Sequence, residues 1–346
     1  MNIQRHSAKP PRVQSGGSLV DSIGRTITYL RVSVTDRCDL RCQYCMPKDM
    51  EFVPRKDVLD LEELEKICSA FVNLGVRKIR LTGGEPLVRR NVTSLIKGLS
   101  RHLGGWGLDE ISLTTNGTQL ARHAEALHRH GVRRINVSLD TLDPTDYETI
   151  TRGGKLQSVL DGLAAARDVG LKVKVNCLAL KGFNDHYLDG MVAWCGEQGF
   201  DLTFIESMPM GDIGNCRMMS YMPLTEVRDQ LSKSWHLTDT PHSTGGPSQY
   251  AEVQETGCKI GFISPLSKNF CEGCNRVRLT CTGRLYMCLG QGDYIDLRAA
   301  VRGGQNIEDA IREGISAKPV GHNFEYDYAN GEEVGKMQRF MNVTGG

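Results

Sequence analysis

Apolar and polar positions along the chain follow two rhythms that take turns. Short β-branched or apolar runs at 29–34, 78–82, 111–114, 134–139, 173–180 and 202–206 read as strands. Between them, apolar residues recur every three or four positions, the spacing of a helix with one buried face. Such stretches lie at 61–74, 92–103, 119–130, 156–169 and 187–198; the first carries Leu61, Leu64, Ile67, Cys68 and Phe71 on one stripe, and Gly170 ends the fourth. Strand and helix alternating six times imply parallel strands joined by crossover helices. The expected fold is α/β, a partial, TIM-like (β/α)6 barrel. The rhythm fails over 210–250, where Gly211, Gly214, Pro223, Pro241 and Pro247 interrupt it. Beyond, 260–264, 276–280 and 284–287 read as strands and 307–313 as a helix. The expected division is a disordered arm over 1–20, the barrel over 21–240, and a β-containing C-terminal extension over 241–346 that ends in Gly345 and Gly346.

In parallel barrels the reacting groups gather in the loops that follow the strands. Here the first strand leads into a cysteine loop at 38–45, and the second into Gly83, Gly84, Glu85 and Pro86. The third ends in Thr114, Thr115, Asn116 and Gly117, and the fourth in Ser138, Leu139 and Asp140. The fifth carries Lys174 and Asn176, and the sixth ends in Glu206, Ser207 and Met208. Polar residues or glycine at every strand end describe a single active-site mouth.

Composition narrows the partners. The net charge of +1 supplies no general field for nucleic acid or an anionic membrane, so an anionic ligand needs a local basic cluster. No apolar run is long enough to span a bilayer. The first twenty residues have no apolar core of a signal peptide. A cytoplasmic protein is expected. Twelve cysteines are then the anomaly, because a reducing compartment disfavours a disulfide framework. Cys68, Cys177 and Cys195 fall inside predicted elements and read as small core residues. The nine histidines form no cluster with metal spacing.

Cys38, Cys42 and Cys45 form C-x3-C-x2-C. A structural zinc site wants four ligands, usually paired C-x2-C units. Three thiolates can instead hold three irons of a 4Fe-4S cluster and leave the fourth open. With the aromatic Tyr44 before the last cysteine, the loop resembles that of the radical S-adenosylmethionine (SAM) family. The resemblance implies a cluster whose open iron chelates SAM and whose electron releases a 5′-deoxyadenosyl radical. Gly-Gly-Glu-Pro at 83–86 resembles the family loop that meets the methionine amino group; alone it reads as a tight turn.

Cys271 and Cys274 form C-x2-C, and both Cys281 and Cys288 lie within reach of completing a second set; spacing does not choose between them. Arg276 and Arg278 share one face of a strand and suit phosphate. The segments 31–38, 80–87, 114–117, 137–142 and 270–279, with the terminal Gly-Gly, resemble one branch of the radical SAM family, which joins C3′ to C8 of GTP in the first step of molybdenum cofactor biosynthesis. That resemblance implies two 4Fe-4S clusters, on Cys38, Cys42 and Cys45 and on Cys271, Cys274 and Cys288. It implies SAM contacts from Tyr44, Gly84, Ser138 and Met208. GTP contacts would come from Arg31, Arg80, Thr114, Lys174, Arg276, Val277 and Arg278, and a direct part in catalysis from Arg31, Arg276, Arg278, Gly345 and Gly346. It further implies an electron donor, a homodimer, and a product, (8S)-3′,8-cyclo-7,8-dihydroguanosine 5′-triphosphate, passed to cyclic pyranopterin monophosphate synthase. Two other readings compete: a peptide-maturing radical SAM enzyme with auxiliary clusters, and a zinc-stabilised binding module.

Overall fold

Strand β1 (Tyr29–Ser33) turns Leu30 and Val32 into an apolar core and leaves Tyr29 and Arg31 on the opposite face. The same division repeats along β2 (Lys78–Thr82), β3 (Glu110–Thr115), β4 (Arg134–Ser138), β5 (Lys172–Leu178) and β6 (Asp201–Ile205), each pairing in parallel with the one before. Helices cover the apolar face: α1 (Leu61–Asn73), α2 (Val92–Ser100), α3 (Leu120–Arg129), α4 (Pro144–Thr151), α5 (Leu156–Asp168) and α6 (Leu188–Gln198). Helix α1 starts on a capping box in which the Asp60 side chain takes the Glu63 main-chain N–H and Glu63 returns the bond, a device worth roughly 1 kcal/mol. Leu64, Ile67, Cys68 and Phe71 are its buried stripe. Cys177 and Cys195 are likewise fully buried in the core.

This computed structural model describes residues 18–105, 107–211, 220–322, 324–327, 332–334 and 337–345. Most of the arm expected over 1–20 lies outside them. Its last residues are built into the fold, since Leu19 is buried and Val20 bridges to Thr26. The stretch from 220 to 250, read from the sequence as irregular, contains α7 (Leu224–Leu231), β7 (Leu237–Thr240) and the start of β8 (Gln249–Val253).

β7, β8 and the four strands that follow join the same sheet. β9 (Lys259–Ile263) pairs in parallel with β6, and β10 (Arg276–Leu279) pairs in parallel with β1. β11 (Arg284–Tyr286) and β12 (Tyr294–Asp296) continue antiparallel beyond β10, as β8 and β7 do beyond β9. The result is one open sheet in the order β12-β11-β10-β1-β2-β3-β4-β5-β6-β9-β8-β7. The C-terminal extension therefore lengthens the six-unit sheet at both edges. Helices α8 (Leu297–Arg302) and α9 (Ile307–Ser316), the hairpin of β13 (Glu325–Asp327) and β14 (Glu332–Val334), and the short α10 (Met341–Thr344) complete the described chain. No helix among the described residues is long and apolar enough to cross a membrane.

Candidate active site

Parallel pairing lines the inward side chains into rows. Arg31 on β1 stands opposite Arg278 on β10 and opposite Arg80 on β2, so three guanidiniums lie side by side. Further round, Thr114 stands opposite Asn136, and Asn136 opposite Lys174. Like charges on neighbouring strands oppose pairing. Withdrawal from water and then Arg278 hold the Arg31 guanidinium well below its ordinary pKa, and the same withdrawal with Arg276 brings Arg278 down to about 10. Burial also lowers Lys174, whose Nζ donates to the Tyr250 hydroxyl at 3.0 Å. Among the described residues no carboxylate is within ion-pair distance of Arg80, Lys174, Arg276 or Arg278. The row is thus built at a cost that an anion would offset. These cations line one chamber with Tyr29, Thr114, Asn136, Cys271, Cys274 and Cys288. Val277, between the two β10 arginines, points the other way into the apolar core.

The two candidates for completing the second cysteine set lie in different places. Cys271, Cys274 and Cys288 are half-buried on the chamber wall. Cys281 is fully buried outside it, and its main-chain oxygen accepts from Leu59 at 2.8 Å. Burial raises the Cys274 thiol, but Arg276 and Lys318 outweigh it and bring the group down to about 7.

A second chamber is lined by Cys38, Cys42, Cys45, Tyr44, Gly83, Gly84, Ser138, Asp140 and Met208. Its glycines are steric necessities. A Cβ on Gly83 would strike the main-chain oxygen of Thr35, one on Gly84 that of Arg37, and Gly83 sits at φ +147°. Glu85 ties this loop to the next: its carboxylate accepts from Leu87 N at 2.9 Å, Thr115 Oγ1 at 2.8 Å and Asn116 N at 2.6 Å. Burial nevertheless raises it to about 7. Asp39 fastens the cysteine loop, accepting from Asn116 Nδ2 at 2.8 Å and Thr118 Oγ1 at 2.6 Å. The Tyr44 hydroxyl donates to Asp140 at 2.6 Å.

Each thiol set fits an iron–sulfur cluster. All six thiols are free of disulfides and open onto a chamber. Burial pushes Cys38 up to about 12 and Cys42 well above its ordinary value, so a bound cation is what would hold them as thiolates. Among the described residues no three His, Cys, Asp or Glu side chains close around one point.

The two chambers share a wall of Thr114, Asn176, Ile205, Met208 and Met341. Met341 comes from α10, which Asn342 anchors by donating from Nδ2 to the Asp36 main-chain oxygen at 2.8 Å. Gly345 follows at φ +74°, in contact with Arg278. Gly346 lies outside the described residues.

Residues 32–195 match the Radical SAM superfamily, and 200–324 match Molybdenum Cofactor Synthesis C. A GTP 3′,8-cyclase of Paracoccus denitrificans (strain Pd 1222) is 56% identical over 332 residues, spanning 95% of this chain and 96% of that protein. A GTP 3′,8-cyclase of Brucella canis (strain ATCC 23365 / NCTC 10854 / RM-666) is 53% identical over 345 residues, spanning 99% of this chain and all of that protein. The chain belongs to the GTP 3′,8-cyclase family.

In fold, this member of the GTP 3′,8-cyclase family is similar to SuiB of Streptococcus suis bound to S-adenosylmethionine, with a TM-score of 0.61 and 16% identity over 92% of this chain and 77% of that one. The residues expected from the sequence sort between the chambers. Tyr44, Gly84 and Ser138 line the chamber of Cys38, Cys42 and Cys45; Arg31, Arg80, Lys174, Arg276 and Arg278 line the cationic one; Thr114 and Met208 line both, and Val277 lies in the apolar core. Tyr29, Asn136, Asp140 and Met341 also line the site and were not singled out from the sequence as contacts. Strand alternation marks the inward face for the first two; nothing local marks Met341.

Proposed function

We propose that this chain is a radical SAM GTP 3′,8-cyclase, converting GTP to (8S)-3′,8-cyclo-7,8-dihydroguanosine 5′-triphosphate. The observation that carries the reading is the pair of thiol-lined chambers meeting at one thin wall, with the cationic row in only one of them. SAM belongs in the chamber of Cys38, Cys42 and Cys45, among Tyr44, Gly84, Ser138 and Met208. When bound, the cluster there supplies the one electron that cleaves SAM to methionine and a 5′-deoxyadenosyl radical. GTP belongs in the other chamber, its triphosphate against Arg31, Arg80, Lys174, Arg276 and Arg278 and its base toward Cys271, Cys274 and Cys288. Residues 21–240 thus supply the radical side and 241–346 most of the substrate side.

The chain's residues act by binding, orientation and exclusion of water. Multiple guanidiniums hold a triphosphate in fixed forks, which positions the ribose. Thr114, on the shared wall, stands where C3′ must face the chamber of Cys38, Cys42 and Cys45. Met208 and Met341 make that wall apolar, which keeps water from the radical. Gly345 is held by Arg278, which lines that chamber.

The test is anaerobic reconstitution, then SAM and dithionite with and without GTP, with 5′-deoxyadenosine and cyclised nucleotide measured. GTP-dependent formation of both in equal amounts is expected. SAM cleavage indifferent to GTP discards the substrate, and no cleavage by iron-replete protein discards the whole reading.

A further inference from the structure

Lys318 is a buried cation outside every role given so far. Its side chain sits behind the second cysteine set and is only 3% exposed. Nζ donates to the main-chain oxygen of Met287 at 2.6 Å and of Arg276 at 3.0 Å, and it lies 3.6 Å from Cys274 Sγ. Met287 immediately precedes Cys288, and Arg276 follows Cys274 by two residues. One ammonium therefore joins both stretches of chain that carry these thiols.

The adjoining residues are clamped from the other side. Arg25 donates to the main-chain oxygens of Pro319 at 2.6 Å, Val320 at 2.8 Å and Cys271 at 2.8 Å, and Asp21 holds Arg25 in turn. The segment 318–320 thus forms a brace: Arg25 ties it to Cys271, and Lys318 ties it to Cys274 and to Met287, the residue before Cys288.

Charge makes the brace more than a scaffold. Among the described residues no carboxylate lies within ion-pair distance of Lys318. The Cys274 thiol, 3.6 Å from Nζ, faces it and becomes an anion only when it gives up its proton to bind a metal. A buried ammonium without an anion costs several kcal/mol. A carbonyl-binding role alone needs no charge. A thiolate-bound group at this set supplies the missing anion.

We propose that Lys318 is a positioning residue for the second cluster, holding Cys274 and Cys288 in place and balancing the thiolate charge so that the cluster accepts an electron more easily. The proposal rests on the reading that Cys271, Cys274 and Cys288 hold an iron–sulfur cluster. A fixed positive charge beside a ligand sulfur favours the more negative, reduced state and raises the reduction potential.

The experiment uses the full chain with Cys38, Cys42 and Cys45 each changed to Ala, so that only the second cluster is loaded. Lys318→Gln, which keeps a donor and removes the charge, and Lys318→Arg, which keeps the charge, are added separately. Iron per chain and the midpoint potential in a dithionite titration are read. We expect Lys318→Gln to bind less iron and to reduce at a lower potential, with Lys318→Arg close to the parent. Complete iron loss from Lys318→Gln that Lys318→Arg restores supports the proposal equally. Iron content and potential unchanged in Lys318→Gln, or equal shifts in both variants, overturn it. A parent chain without iron overturns the underlying assignment of the second set, and this proposal with it.

Discussion

The guanidinium of Arg278 donates from Nη1 to the main-chain oxygen of Gly345 at 2.8 Å. The end of the chain is therefore fastened to one end of the cationic row, next to Arg31. A Cβ at Gly345 would overlap the Thr82 hydroxyl, and its φ of +74° already disfavours any other residue. Gly345→Ala is expected to displace the tail. GTP-dependent 5′-deoxyadenosine formation should fall by at least about tenfold, equivalent to about 1.4 kcal/mol of barrier, with iron per chain unchanged. Full turnover in this variant removes the tail from the mechanism.

Cys281 and Cys288 are expected to behave oppositely. Cys281→Ala leaves a small void in the core and should cost about 1 kcal/mol of stability while keeping all the iron. Cys288→Ala should lose the second cluster's iron and its visible absorption. Iron and sulfide analysis of both variants checks this, and the reverse outcome overturns the assignment drawn from the chamber wall.

Lys174 lines only the chamber of the cationic row. Lys174→Met should therefore weaken GTP binding by about 10- to 100-fold, the loss of one charged hydrogen bond, and leave SAM binding unaltered. Equilibrium binding of each ligand to the anaerobically reconstituted variant separates the two. Equal losses for both ligands would mean that the chambers do not divide them.

Burial raises Glu85 from an ordinary 4.5 to about 7, and Asp140 from 3.8 to about 6. Both hold a proton more tightly when folded. Their contribution to stability is complete below the ordinary values and is lost as pH rises through about 6 to 7. The apoprotein's thermal midpoint should fall between about pH 5 and about pH 8, and Glu85→Gln should flatten that fall. Parallel pH profiles for the two proteins would show that burial of Glu85 is not its cause.

Local chemistry is what the sequence exposes. The six strands from β1 to β6 are legible because β-branched runs, polar strand ends and helical stripes all mark the same boundaries. The thiol loops and the Arg276–Arg278 pair are legible for the same reason. Helix α4 is not, since Thr145, Asp146, Tyr147 and Thr149 are weak helix formers; Pro144 and the Asp143 cap start it, and packing of Tyr147 and Ile150 keeps it. Strand β7 is half-exposed and mixed in composition, so no alternation betrays it. The pairing of β9 with β6 and of β10 with β1 joins residues far apart in the chain, and nothing local encodes it. For that reason the sequence does not reveal that the strands of the extension join the edges of the barrel's sheet. The placing of Cys288 rather than Cys281 on the chamber wall, and the arrival of Met341 at the shared wall, are equally matters of long-range packing.

That pairing also sets an order of assembly. During synthesis the six strand–helix units emerge first, and β1 and β6 stand as bare edges until β9 and β10 leave the ribosome. Only then do Arg276 and Arg278 meet Arg31, and only when the last residues arrive can the tail reach its arginine. A fragment stopped at residue 240 would carry two open, apolar-backed edges and be prone to aggregate rather than wait. The cationic chamber is thus finished last, whereas nearly all of the residues around Cys38, Cys42 and Cys45 belong to the part made first.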